Sequence, residues 1–356
     1  MTIRVMKLVQ ITSILGLLIS MSALTSQASM TPEVVNAFIK LKTEGDKGNP
    51  VAQTVVGLGY YFGVGTVKDE AQAVLWYQKS AAQGNSLAQY LLGNCCANGV
   101  GAAKDEVQAV LWYQKSAAQG NSLAQDALGI SYFNGKGTVK DSVQAAFWFR
   151  KAAEQGDDDA QYNLGVCYYE GEGVKKDSFH AVLWFRKSAD QGYANAQCIL
   201  GRCYDEGVGV KKDSFHAVLW FRKAAEQGHA NAQCNLGVCY AKGEGVNKDE
   251  IEAVSWYLKA AEQGYDLAQY NLGVCYAKGE GVAKDKIESY AYFHLAAITL
   301  EGARNGLAIL EKKMSLKDVL AGSQRSQQIE KEIGKKLETL KELQRAAERE
   351  KQIKGA

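Results

Sequence analysis

The pair Ala-Gln at Ala52-Gln53 returns at Ala88, Ala124, Ala160, Ala196, Ala232 and Ala268, each 36 residues after the last. A fixed period of this length marks a chain built from stacked copies of one supersecondary unit, so it constrains the fold before any local reading. The same step carries a glycine from Gly57 to Gly273, a Gly-x-Gly from Gly63/Gly65 to Gly279/Gly281, and an aspartate from Asp69 to Asp285. It also carries all six tryptophans, Trp76, Trp112, Trp148, Trp184, Trp220 and Trp256, with Tyr292 in the seventh place. Seven units follow: 52–87, 88–123, 124–159, 160–195, 196–231, 232–267 and 268–303. The 36 glycines beside two prolines are punctuation, since no Gly-X-Y run supports a collagen.

Within a unit the pattern reads helix, tight loop, helix, tight loop. In the sixth, Ala232, Leu236, Cys239 and Tyr240 share one side of a helix, and Gly243-Glu244-Gly245 breaks it. Asp249 is then an N-cap for a second helix carrying Ala253, Trp256, Tyr257 and Ala260, closed by Gly264. Asn49-Pro50 starts the first helix, and Asn85, Asn121 and Asp157 take the matching cap position. The mid-helix glycine, such as Gly237, costs about 1 kcal/mol against alanine, so its recurrence predicts close approach of two helix backbones. One hairpin cannot bury its own aromatic residues. Neighbours must therefore stack into an all-α, α/α superhelical solenoid of seven helix-turn-helix repeats with helical caps. A core tryptophan in each unit predicts that Trp220→Ala costs roughly 3–5 kcal/mol.

The ends depart from the period. Arg4 and Lys7 precede an apolar run from Leu8 to Leu24, and Ser26-Gln27-Ala28 supplies the small residues of a cleavage site. Residues 1–28 therefore read as a secretory signal peptide cut after Ala28, with an uncleaved anchor as the competing reading. Residues 29–51 read as an N-terminal capping helix. Beyond the array, Leu300 stands where the closing glycine belongs, and Ala303, Leu307, Leu310 and Met314 suggest a further helix. Ser315-Leu316-Lys317-Asp318 forms a capping box for the next, which makes 304–326 a pair of C-terminal capping helices. Residues 327–356 form a charged amphipathic tail with Ile329, Ile333, Leu337, Leu340 and Ala347 on its stripe. Docking on the array's end, self-association as a coiled coil, and a membrane-surface or disordered tail all remain open for it.

Composition removes several function classes. A formal charge of +2 is no polyanion-binding signature, so no nucleic acid is expected as partner. With 47% hydrophobic and 22% charged residues the chain has material for a large core. His180 and His216 are repeat equivalents, and no His-Glu-x-x-His run or close Cys-x-x-Cys pair is present, so no metal is expected. Gly135-Lys136-Gly137-Thr138 lacks the spacing and the preceding strand of a phosphate loop and reads as a turn. Gln53 and its six equivalents read as hydrogen-bonding loop backbone between units. Cys95, Cys167, Cys203, Cys239 and Cys275 share one repeat position, and Cys198 and Cys234 another. Such placement suggests packed, free thiols, because stacked helices sit about 8–10 Å apart and a disulfide needs Cα atoms within roughly 7 Å.

The stretch Ala232-Gln233-Cys234-Asn235-Leu236-Gly237-Val238-Cys239-Tyr240, followed by Gly243-Glu244-Gly245-Val246, Asp249, Ala253, Trp256 and Lys259-Ala260-Ala261-Glu262-Gln263-Gly264, resembles the Sel-one-like repeat family, relatives of the tetratricopeptide repeats. The resemblance spans Ala52 to Arg304 and implies a concave surface used for protein contacts, with no catalytic residue and no cofactor. It implies an adaptor binding a protein or peptide, periplasmic or secreted, possible as a bacterial host-interaction factor and meeting a membrane only during export. A cell-wall ligand binder or β-lactam-interacting enzyme is the alternative, although the serine-lysine motif set of such enzymes is missing. A disulfide-rich branch of the family carries cysteines near the unit junctions, where this chain has residues such as Ala81, Ala153, Ala189 and Ala225. By analogy with tetratricopeptide arrays, offsets 2, 6 and 9 from each unit's alanine face the groove. The resulting partner-binding candidates are Tyr61, Tyr90, Asn94, Phe133, Tyr162 and Tyr169, with Arg202 and Asp205 setting polarity.

Overall fold

The structure, a computed structural model, describes residues 30–354, with side chains described as far as Glu342 except Leu340. The leader, its cleavage after Ala28, and the side chains of Leu340 and Ala347 lie outside the described residues. Seventeen helices and no strand occur among the described residues. They are α1 (Pro32–Asp46), α2 (Pro50–Phe62), α3 (Glu70–Ala82), α4 (Ser86–Asn98), α5 (Glu106–Ala118), α6 (Ser122–Asn134), α7 (Ser142–Glu154), α8 (Asp158–Glu170) and α9 (Ser178–Asp190). There follow α10 (Ala194–Glu206), α11 (Ser214–Glu226), α12 (Ala230–Lys242), α13 (Glu250–Ala261), α14 (Asp266–Lys278), α15 (Lys286–Ala296), α16 (Glu301–Glu311) and α17 (Leu316–Lys354). The chain forms two compact units that meet within α8. The first holds the described residues up to Ala160, Glu172–Lys175 and the chain from Leu343; the second holds Gln161–Gly171 and Lys176–Glu342.

Local chemistry sets each hairpin's ends. Asn49, Asn85 and Asn121 accept the backbone N–H of Ala52, Ala88 and Ala124, and Asp157 accepts that of Ala160, which answers donors that a helix start leaves orphaned. Asp69, Asp105, Asp141, Asp177, Asp213, Asp249 and Asp285 cap the second helices in the same way.

The mid-helix glycine faces both the backbone of the second helix and an aromatic ring carried by it. A Cβ on Gly201 would lie 2.6 Å from Cδ1 of Phe221 and 3.2 Å from the Ala217 carbonyl oxygen, so the close backbone approach is present and an aromatic ring is seated on the glycine beside it. The other units repeat the seat with Tyr77, Tyr113, Phe149, Phe185, Tyr257 and Phe293. This residue, one after the tryptophan, is buried in every repeat. The tryptophans themselves are half-buried apart from Trp76, and each carries a lysine ammonium 3 residues on, over or near its ring, at 4.1 Å for Lys223 on Trp220. That position covers the rim of the core, where an indole can keep one edge in water.

Two contacts join successive hairpins. Gln197 donates from Nε2 to the carbonyl of Ala189 at 3.1 Å and accepts from Gln227 at 2.7 Å, a side-chain relay that Gln89 and Gln233 repeat. The buried amides are thereby satisfied on both ends. The second glycine of each Gly-x-Gly then lets one loop touch the preceding second helix: Gly209 has φ +68°, and a Cβ there would lie 2.1 Å from the Ser178 carbonyl oxygen.

At the C-terminal end Ser315 and Asp318 form the reciprocal capping box, and α17 continues through Gln327 without a break. Ile329 and Ile333 are buried in one cluster with Tyr257, Ala261 and Tyr292, against which Leu258 and Leu337 also pack. Arg325 pairs with Glu288 at 2.7 Å and Lys336 with Glu262 at 2.7 Å, so this stretch of α17 docks on the last two repeats.

Two pairs of variants test these assignments by thermal unfolding. Phe221→Ala should cost about 3–5 kcal/mol, and Trp220→Ala distinctly less because its indole starts half in water; equal losses would restore the tryptophan as the core residue. Gly209→Ala should lower the midpoint far more than Gly228→Ala, which shares a positive φ but has nothing within 4 Å, the latter costing about 1–2 kcal/mol.

Candidate functional site

In the first compact unit, α4 and α6 are consecutive first helices, and a cleft of about 430 Å³ opens between them. Tyr90, Asn94 and Ala97 of α4 line one side, and Asp126, Ala127 and Ile130 of α6 the other. Tyr113 of α5 forms part of the wall, its hydroxyl donating to Asn94 Oδ1 at 2.7 Å and its ring 6.2 Å from that of Tyr90. Asp157 and Asp159, at the start of α8, complete the lining together with Lys104, Glu106 and Lys136. Lys104 and Glu106 form an ion pair at 2.8 Å that holds the exposed Glu106 carboxyl below its ordinary range. Burial, with Asp126, Asp157 and Asp159 adding to it against the opposing Asn94 hydrogen bond, pushes the Tyr90 phenol up and keeps it neutral. The carboxylate oxygens of Asp157, Asp158 and Asp159 lie within 4.8 Å of one another. Asp157 serves there as the helix cap, and negative charge suits the positive end of α8.

Of the residues singled out by spacing, Tyr90 and Asn94 share this cleft. Tyr61, in the same unit, is half-buried with its ring edge-on to Phe62, and Phe133 rests 6.4 Å from Phe149 beneath Lys140. In the second unit Tyr162 and Tyr169 are half-buried, both packing on Phe185 at 5.8 and 6.4 Å. Arg202 is exposed and pairs with Glu206 at 3.5 Å, and Asp205 is half-buried. The offset-2 position does not face open groove in every repeat. Thr54 is buried against Ser80, and Cys198 and Cys234 are buried against Asn231 and Asn271 of the following first helix. At Cys198 and Cys234 it sits where successive first helices touch, so a short side chain there is covered. Spacing on the first helix could not reveal Asp157, Asp159, Lys104 or Lys136, which come from the ends of other elements. The run of three aspartates at a single cap position was the available signal.

The eight cysteines are thiols rather than disulfides, and burial pushes Cys95, Cys198, Cys234 and Cys239 up to about 12. Such thiols stay protonated and inert near neutral pH. His180 and His216 lie beside the caps Asp177 and Asp213 at 2.8 Å and stack on Tyr168 and Tyr204.

Helical hairpins repeating at a fixed step, with a cleft between two consecutive first helices, define an all-α repeat solenoid. The chain belongs to the Sel1 repeat family, whose model matches residues 50–85, 86–121, 122–157, 158–193, 194–229, 230–265 and 266–298. It is similar to the crystal structure of a Sel1 repeat protein from Oxalobacter formigenes, with 36% identity, a TM-score of 0.63, and coverage of 68% of this chain and 96% of that one. It is also similar to c5321, a protective antigen of uropathogenic Escherichia coli with an SLR fold, at 31% identity, TM-score 0.42, and coverage of 87% and 82%. The immunity protein Pa5087 from Pseudomonas aeruginosa matches at 21% identity and TM-score 0.39, covering 62% of this chain and 83% of that one. No curated protein matches the chain. Proteins of the family generally act as protein–protein interaction scaffolds.

The cleft wall yields a paired test. Tyr77 stands where Tyr113 stands one repeat later, but Leu58 replaces Asn94, and the buried Tyr77 hydroxyl has no partner. Tyr77→Phe should leave the unfolding midpoint unchanged or raise it, whereas Tyr113→Phe should lower stability by about 0.5–1.5 kcal/mol. A loss at Tyr77 as large as that at Tyr113 would show that its hydroxyl is bonded after all.

Proposed function

We propose that the protein is an exported, non-enzymatic scaffold that binds a protein or peptide along its first helices and works in the periplasm or outside the cell as a bacterial secreted factor, host contact included. The observation that carries the reading is the cleft between α4 and α6, where aromatic, amide, aliphatic and acidic side chains converge on one half-enclosed surface. Rigid tyrosines supply contact area at small entropic cost, and such residues dominate binding energy at interfaces. Family membership supports the interaction role, and the basic, apolar and small-residue sequence of the first 28 residues supports export. No described helix is long and apolar enough to cross a membrane.

A photo-crosslinking amino acid at Ile130, on the cleft's exposed edge, tests this in the native cell. One dominant protein adduct is expected, reduced about tenfold or more by the pair Tyr90→Ala and Asn94→Ala, each an interface-type loss. N-terminal sequencing of the recovered protein should begin at Ser29. An adduct pattern indifferent to both substitutions, or turnover of a wall fragment by the purified protein, would sink the reading.

A further inference from the structure

We infer that the α4–α6 cleft receives the cationic end of an arginine or lysine side chain presented by a basic segment of the partner protein. This rests on the scaffold reading and specifies what the scaffold selects.

Size comes first. At about 430 Å³ the cleft falls within the range of sites that enclose a ligand group, and it holds one long side chain with its flanking backbone. Its walls suit the two halves of such a side chain. Half-buried Tyr90 and the largely buried Tyr113 line it with rings 6.2 Å apart, and Ile130 adds an aliphatic edge, so a methylene stem can pack there with its cation drawn to the Tyr90 ring. The charge of the lining then fixes the sign of the guest. Four carboxylates and two ammonium groups line it, and both lysines act on Glu106, so the net charge is negative. Asp126, Asp157 and Asp159 all act on the Tyr90 phenol, which places their field at the aromatic wall. Asp126 is also buried, so its attraction for a cation is screened less than that of a surface carboxylate. An anionic side chain would be repelled by that field, and a neutral one would gain no Coulombic attraction from it.

The test uses the folded full chain and two fluorescein-labelled probes, acetyl-Gly-Gly-Arg-Gly-Gly-amide and the same peptide with neutral, near-isosteric citrulline in place of arginine. Fluorescence anisotropy should show the arginine probe binding about tenfold or more tightly than the citrulline probe, as expected of a close charge pair. Asp126→Asn with Asp159→Asn should abolish that preference while circular dichroism stays unchanged. Lys136→Glu, an exposed change that spares the core, should strengthen it even if the double variant fails to fold. Equal affinity or no affinity for both probes, a preference that survives the double variant in folded form, or indifference to Lys136→Glu overturns the inference. A partner that still crosslinks at Ile130 in the double asparagine variant removes the cation and leaves the scaffold. A retained arginine preference with no native adduct removes the scaffold reading alone.

Discussion

An aromatic ring seated on a glycine is the contact on which each repeat depends. Two antiparallel helices joined by a short loop bury too little to be stable alone, so their separation must be fixed by something larger than an alanine stripe. In the fifth unit Phe221 lies against Gly201, and any Cβ on that glycine would fall inside contact distance of the ring. The glycine's propensity penalty of about 1 kcal/mol is small beside the several kcal/mol of a buried aromatic side chain. Alanines at Ala217, Ala224, Ala225 and Ala232 then close the space around the ring, all of them buried. Helix propensity and core packing pull in opposite directions at this position, and packing wins.

Once the hairpin's thickness is set, the joints between hairpins follow. A buried glutamine that must satisfy both ends of its amide finds a carbonyl in the preceding second helix and the amide of another glutamine, which fixes one distance between neighbours. The loop glycine, touching the backbone of the preceding second helix, fixes another. Both contacts lie at hairpin ends, so the first helices are held apart at a spacing their own side chains do not choose. Where those side chains are long and half-buried, as at Tyr162, the space between is filled by packing on the next ring. Where Asn94 and Ala97 stand opposite Asp126 and Ile130, a cleft is left. The cleft thus arises from departures from the repeat, carried by a frame the repeat makes uniform.

That division explains what was legible in the sequence. Period, helix pairs, caps and loop glycines were readable because each depends on residues a few positions apart and recurs seven times. The tryptophan's place was misjudged because hydrophobic size alone does not say which of two adjacent aromatics, Trp220 or Phe221, points at the partner helix. A turn of roughly 100° per residue separates them, enough to move one from core to rim. The cleft was half legible: Tyr90 and Asn94 follow from helix offsets, while Asp159 arrives from α8, two first helices further along the chain. The buried state of Cys198 and Cys234 at a position expected to face the groove reflects stacking between units, which no single-helix wheel contains.

The end of the array shows the same logic in reverse. Arg222 donates to the Tyr240 hydroxyl at 2.7 Å, a polar tie on the outer side of a second helix. One repeat later Leu258 takes the arginine's position, and Tyr292 takes the tryptophan's in the next. Those two exchanges remove a guanidinium and shrink an indole at the place where Ile329 and Ile333 of α17 are buried. Tyr292 then stacks on Tyr276 with ring centroids 5.8 Å apart, and Glu288 and Glu262 receive Arg325 and Lys336 at the edges. A repeat that would otherwise need another copy to cover its apolar side is closed by a helix of different length and register. The loss of period after Tyr292 is therefore the sequence of a cap rather than decay of an eighth repeat.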